Sequence, residues 1–419
     1  MNRHNLLLST SRVLVIILAI VMFGGSASAG SGEQMLWRFA QTGAAGNTPD
    51  DLIADSAGNL YGANNVGGAN GFGTIYELSP PSTSGGPWTL TVLYSFPNGS
   101  TLFGAGPGSL ILDHAGNLYG TTIEGGQHLF GSVFQLTPPA TSGGQWTETD
   151  LYSFGGWDGY QPEGLALDPQ GNLYGATYGG GRYCLGAGCG TIYKLTPPAT
   201  SGNPWTRTVL YYFKGVLGQI GNGDGAAPFN VIFDKNGNLF GVTFYGGHCE
   251  VGGCSGTIFK LQRPSKKGQP WQESILFRFP FSNGNDGPFS GLTIDKSGAL
   301  YGTTASSVYQ LSSVNGVWTQ KILISGAYLY SGLIIDGSGN LYGTTLYDST
   351  NVNGTVYKLS ATNFTETLLY SFAGGFDGSA PISAPAFGLG GAIYGATLRG
   401  GSQQCQSNQG CGTVFRVAP

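Results

Sequence analysis

The sequence predicts an all-β chain folded as a seven-bladed β-propeller of four-stranded antiparallel blades, with the ring closed by the N-terminal strand. Three observations carry this expectation. Glycine supplies 74 of 419 residues and only 10% are charged, a composition of many tight turns and little helical surface. One motif recurs seven times, and the ring residue that marks it falls at Tyr61, Tyr119, Tyr174, Phe240, Tyr301, Tyr342 and Tyr394, 41 to 66 residues apart. The incomplete units at the two ends of the chain also complement each other.

In chain order, Arg3, His4 and Arg12 precede an apolar stretch, Val13–Phe23, and then Ala27 and Ala29 in "SASA". This is the pattern of a secretory signal peptide over residues 1–29, cleaved after Ala29. Eleven apolar residues are short for a bilayer span, so a retained anchor is the lesser reading. Residues 30–419 then form one propeller in an oxidising compartment, secreted or periplasmic.

Each full unit reads as four strands. A proline (Pro49, Pro107, Pro162, Pro228, Pro288, Pro381) opens a short apolar run such as "GLALD". A tight turn and "GNLYG" follow, then a glycine-rich loop of variable length. "GTIYKLTPP" is the third strand, "TSGG" the turn after it, and "WTETDLYSF" the fourth strand. Such a unit cannot bury both faces alone and needs its neighbours. The seventh unit stops at "GTVFRVAP" without a fourth strand, and "EQMLWRF" at 33–39 aligns with the "LYSF" strands. The N-terminal strand is therefore expected to complete the last blade and remove the open edge.

These units, with "GNLYGTT", "GTIYKLTPP", "WTETDLYSF" and "GGWDGYQP" in tandem, resemble the GloVer-type repeat of exported bacterial proteins, from about Leu36 to Val417. The resemblance implies secretion or surface attachment through varied C-terminal anchors, and it attaches no biochemical activity. The chain ends at Pro419 directly after the last strand, which favours release or periplasmic residence.

The six cysteines fall in close pairs, Cys184/Cys189, Cys249/Cys254 and Cys405/Cys411. Three local disulfides are expected, with paired metal sites as the alternative, because these spacings suit zinc poorly. The repeat Asp (Asp55, Asp113, Asp168, Asp234, Asp295, Asp336) reads as a hairpin cap more than a calcium ligand. The recurring Trp and ring residues read as packing between blades.

A net charge of −4 with few charges of either sign gives no footprint for nucleic acid. No membrane span is expected in the mature chain. His114, His128 and His248 stand apart, and no catalytic residue is assigned. Glu124 and Glu163 read as solvated surface. The candidate ligand residues lie in loops on one face: Trp157, Asp158, Tyr160, Tyr178, Asp224, Asp286, Phe376 and Asp377. The expected function is a non-enzymatic binding module whose partner is carbohydrate, a surface polymer or a surface protein. Ca2+ is the one cofactor the Asp residues suggest. The alternative is a secreted hydrolase or lyase acting on a polysaccharide or lactone, with a cation at the channel mouth. A purely structural envelope component is a third reading.

Overall fold

A computed structural model of the chain describes residues 33–40, 45–83, 85–97, 105–141, 143–183, 188–200, 202–215, 223–247, 249–250, 253–280, 287–347, 351–402, 405 and 409–419. Seven four-stranded antiparallel sheets make up the ring, and a two-residue ribbon pairs Cys249–Glu250 with Gly253–Cys254. Blades 1 to 7 begin with the strands Asn47–Ala54, Ala105–Leu112, Tyr160–Leu167, Ala226–Phe233, Thr293–Ile294, Ile334–Ile335 and Ala386–Phe387. These first strands of neighbouring blades lie against one another around the central channel, and the fourth strands form the rim.

Blade 3 shows the plan: Tyr160–Leu167, Leu173–Gly179, Thr191–Thr196 and Thr206–Tyr212, paired in that order. In blade 7 the outer strand is Glu33–Arg38, antiparallel to Thr413–Val417 with Glu33 opposite Val417 and Arg38 opposite Thr413. The ring therefore closes through the N-terminal strand, as the truncated seventh unit implied.

The seams between blades are built from the repeated aromatics. In every blade but the fifth a fully buried Phe follows the outer strand and meets, edge to face, the third-strand ring of the next blade. The pairs include Phe39–Tyr76, Phe154–Tyr193 and Phe372–Phe415, with centroids 5.2, 5.2 and 5.0 Å apart. In blades 1 to 5 the Trp at the start of the outer strand packs on the second-strand ring of the preceding blade, as in Tyr174–Trp271 and, across the closure, Trp88–Tyr394. The last glycine of "GNLYG" has a steric cause. A Cβ on Gly175 would lie 2.4 Å from the Tyr193 hydroxyl oxygen, so the third-strand ring fits only under a bare backbone.

The repeat Asp closes the first hairpin of blades 1 to 6, and Gly388 stands in its place in blade 7. Asp168 Oδ1 accepts from the backbone N–H groups of Gln170 and Asn172, and Oδ2 accepts from Asn172 Nδ2 and the Tyr174 hydroxyl. The same set recurs at Asp55, Asp113 and Asp336. Burial opposes the charge, yet these hydrogen bonds hold the carboxyls of Asp234, Asp295 and Asp336 below the usual range. The motif is a hairpin cap with its acceptor capacity already used.

Candidate binding face and central cavity

The loops joining second to third strands and those joining one blade to the next lie on the same face and touch. Gly181 N–H donates to Trp157 O at 3.0 Å, and Gly401 N–H to Gly375 O at 3.0 Å. A repeated latch ties this face together. The residue before the blade proline turns its N–H into the preceding blade's second-to-third loop: Thr48 to Cys411 O, Gln161 to Phe130 O, Ala227 to Cys189 O and Ala380 to Asn353 O, at 2.9 to 3.3 Å. All four hold φ between 50° and 59°, a left-handed conformation that non-glycine residues adopt at a cost.

Two cysteines, Cys189 and Cys411, supply latch acceptors. Cys405 and Cys411 form a disulfide, and Cys411 supplies the acceptor for the closing seam. Cys189 is disulfide-bonded, and its sequence neighbour Cys184 lies outside the described residues. Cys249 and Cys254 face each other across the small ribbon by their backbone pairing.

The described candidate aspartates are not brought together. Each carboxylate fastens its own loop to the outer strand before it. Asp158 is 4% exposed. It accepts from the Tyr152 hydroxyl at 2.5 Å and Gly155 N–H at 2.7 Å, and pairs with Arg207 Nη2 at 3.4 Å. Asp224 accepts from the Tyr211 hydroxyl and Lys214 N–H at 2.6 and 2.9 Å, and Asp377 from the Tyr370 hydroxyl and Ala373 N–H at 2.7 and 2.6 Å. Asp286 lies outside the described residues. Among the described residues no group of three or more His, Cys, Asp or Glu side chains is placed to hold a metal ion.

The aromatic candidates do gather. Tyr160 lies between Phe130 and Tyr178, with ring centroids 6.4 and 6.5 Å away. Tyr178 interacts through its hydroxyl with Tyr245, and burial followed by that contact raises its pKa. The series runs on through Phe244, Phe289 and Tyr330, whose successive centroids are 5.3, 5.4 and 4.6 Å apart starting from Tyr245. It ends near the stacked pair Tyr328–Tyr347 at 4.1 Å. An arc of rings thus follows the channel mouth from blade 2 to blade 6. Trp157 and Phe376, 78% and 64% exposed, stand outside it on loop tips.

Inside the mouth is a cavity of about 210 Å3 lined from all seven blades. Blades 1 and 3 contribute the carboxylates Asp50, Asp51 and Glu163, and blades 4 to 6 contribute Phe229, Phe289 and Tyr330. No Lys or Arg is among the described lining residues. Glu163 is thus part of the channel wall and not outer surface, because it stands on the first strand, the innermost of its blade. Asp50 and Asp51 belong to no recurring motif, although "PDD" occupies the same place after the blade proline as "PEG".

The sequence matches the Gloeobacter/Verrucomicrobia repeat over residues 26–222 and 139–315, which together cover more than half of the chain. The chain belongs to the Gloeobacter/Verrucomicrobia repeat family. A search of curated proteins finds no match to it. Among solved structures, this member of the family is similar to streptogramin B lyase at 13% identity and a TM-score of 0.56, covering 92% of this chain and 97% of that one. It is also similar to PorZ, a surface component of the type-IX secretion system of Porphyromonas gingivalis, at 14% identity and TM-score 0.51, over 88% of this chain and 46% of PorZ. A third is the extracellular domain of BT4673 from B. thetaiotaomicron, at 11% identity and TM-score 0.55, over 92% of this chain and 40% of that one. At these identities the likeness is one of fold.

Proposed function

We propose that this chain is an exported binding protein that holds a carbohydrate or saccharide surface polymer on its loop face. The polymer lies along the aromatic arc, and one unit enters the central cavity. The supporting observation is the pairing of the ring series Tyr160–Tyr178–Tyr245–Phe244–Phe289–Tyr330 with the Asp50, Asp51 and Glu163 wall across the cavity. Rings offer apolar faces for stacking on sugar C–H groups, and carboxylates accept hydrogen bonds from hydroxyls. The family's exported character and the Cys405–Cys411 disulfide fit an extracellular or periplasmic place. A second reading, hydrolysis of a polysaccharide or lactone, draws on those three cavity carboxylates.

The test is calorimetric titration of the mature protein with soluble polysaccharides and their oligomers. Binding is expected to weaken roughly tenfold in Tyr178→Ala and in Tyr330→Ala, the scale of a truncated anchor residue. Absence of binding to every saccharide tried, or unchanged affinity in both variants, would overturn the proposal. Hydrolysis lost in Glu163→Gln would favour the second reading.

A further inference from the structure

At three blade seams a tyrosine of one outer strand meets the aspartate of the following loop and a residue of the next outer strand. At seam 2/3 that last residue is Arg207, whose guanidinium pairs with Asp158 and lies over the Tyr152 ring. At seam 3/4 Glu273 takes the place of Arg207, and at seam 6/7 Glu33 does. The register makes the three positions equivalent: Arg207 stands opposite Leu195, Glu273 opposite Leu261 and Glu33 opposite Val417, each on its own third strand. Where one seam has a cation facing the aspartate, the other two have a second carboxyl group.

The proton inventory at these two seams is short. A phenol has one proton to donate. Tyr211 gives its proton to Asp224 Oδ2 at 2.6 Å, and Tyr370 gives its own to Asp377 Oδ1 at 2.7 Å. Glu273 and Glu33 sit beside these same hydroxyls, and Oε1 of each is buried with no hydrogen-bond partner among the described residues. A carboxylate in that position lacks a donor and faces a second carboxylate. A carboxylic acid brings its own proton and can donate it to the phenolic oxygen, giving a chain from Glu O–H to Tyr O–H to Asp carboxylate.

We propose that seams 3/4 and 6/7 close on a protonated glutamate, and that the ring loosens at these two seams as pH rises through neutrality. Seam 6/7 is the one that holds the closing strand, so ring closure itself becomes pH-dependent. Burial first, and then the charge of Asp377, push Glu33 up to about 7 against Arg38 and the Tyr370 hydroxyl. Burial and then Asp224 push Glu273 up to about 7 against Arg278, Lys214 and the Tyr211 hydroxyl. The remaining charges nearby are Arg416, on the strand paired with Glu33, and Arg399, whose backbone pairs with Ser379 after Asp377. On the Glu273 side, Lys260 lies on the paired strand opposite Ser274. Both glutamates have folded values above their unfolded ones. Their contribution is therefore fully present below the unfolded value and is lost as pH climbs from there to about 7.

Hydrogen exchange on the full chain at pH 5.5 and 8.5, corrected for intrinsic amide rates, tests this. In the wild type, strands Glu33–Arg38 and Gln272–Arg278 should open about tenfold more often at the higher pH, a discounted fraction of what the displaced titrations allow for half-exposed groups. Strand Thr206–Tyr212, beside Arg207, should not change. Glu33→Gln retains a donor and should abolish the pH effect at Glu33–Arg38 alone, and Glu273→Gln should abolish it at Gln272–Arg278 alone. Equal protection at the two pH values in the wild type would overturn the proposal, as would a pH effect that survives in the Gln variants. Side-chain carbon NMR of the wild type gives an independent answer: a Glu33 titration at the ordinary glutamate value would also overturn it.

Discussion

Phe39→Ala is the sharpest probe of ring closure. Phe39 is 1% exposed, belongs to the same apolar cluster as Leu52, Leu60 and Tyr76 of blade 1, and meets the Tyr76 ring at 5.2 Å. Removing a buried Phe side chain costs the transfer free energy of the ring plus that of the cavity left behind, about 3–5 kcal/mol together. Part of that sum is the edge-to-face pair, about 0.5–1.5 kcal/mol. Against a net stability of roughly 5–15 kcal/mol, the loss is a large fraction of the total. Phe154→Ala is the control, since Phe154 occupies the same place in a blade made of continuous chain and meets Tyr193 at 5.2 Å. Urea unfolding followed by tryptophan fluorescence should show comparable losses for both variants. If the seventh blade did not depend on its borrowed strand, Phe39→Ala would cost under about 1 kcal/mol while Phe154→Ala kept its full penalty, outside the range for buried Phe truncation. That outcome would refute the closure argument.

Two further predictions rest on the seams. Arg207→Ala strands the buried Asp158 carboxylate and should destabilise by about 3 kcal/mol in the same urea assay, whereas Arg207→Ala combined with Asp158→Asn should recover part of the loss. Cys405→Ser opens the loop that carries the Cys411 latch acceptor; in the chain-entropy view this removes about 2 kcal/mol, and a reducing agent should lower the wild-type melting temperature by more than that of the variant, which keeps the Cys189 disulfide.

The parts of this protein that repeat were legible in the sequence. Seven copies of a strand-turn-strand unit fix the blade count, and "EQMLWRF" could be matched to "LYSF" because five other outer strands end in the same Leu-x-x-Phe pattern. The hairpin role of Asp168 was likewise readable, since the cap is made entirely within seven residues. The cavity was not, because Asp50, Glu163, Phe229 and Tyr330 come together only through the ring's curvature and are far apart in the chain. The loop aspartates show the converse limit. Asp158, Asp224 and Asp377 look alike in sequence and share a face, yet each bonds to the tyrosine of its own outer strand. What decides their role is a hydroxyl several residues earlier, whose direction no motif encodes. Tyr160 and Tyr178 do enter a continuous arc, but its members Phe289 and Tyr330 stand in the segments that lead into the first strands of blades 5 and 6, where no motif marks them.

The antiparallel pairing of Glu33 with Val417 also bears on how the chain could be rewired. The two residues are direct cross-strand partners, so a turn of about two to five residues would join them as an ordinary hairpin. New ends could then be cut in the exposed hairpin between Val314 and Val317, on the outer strands of blade 5. The permuted chain would have seven blades, with the borrowed strand moved to blade 5 and blade 7 continuous. The wheel has no privileged starting point in its packing, only in the order in which its strands are synthesised.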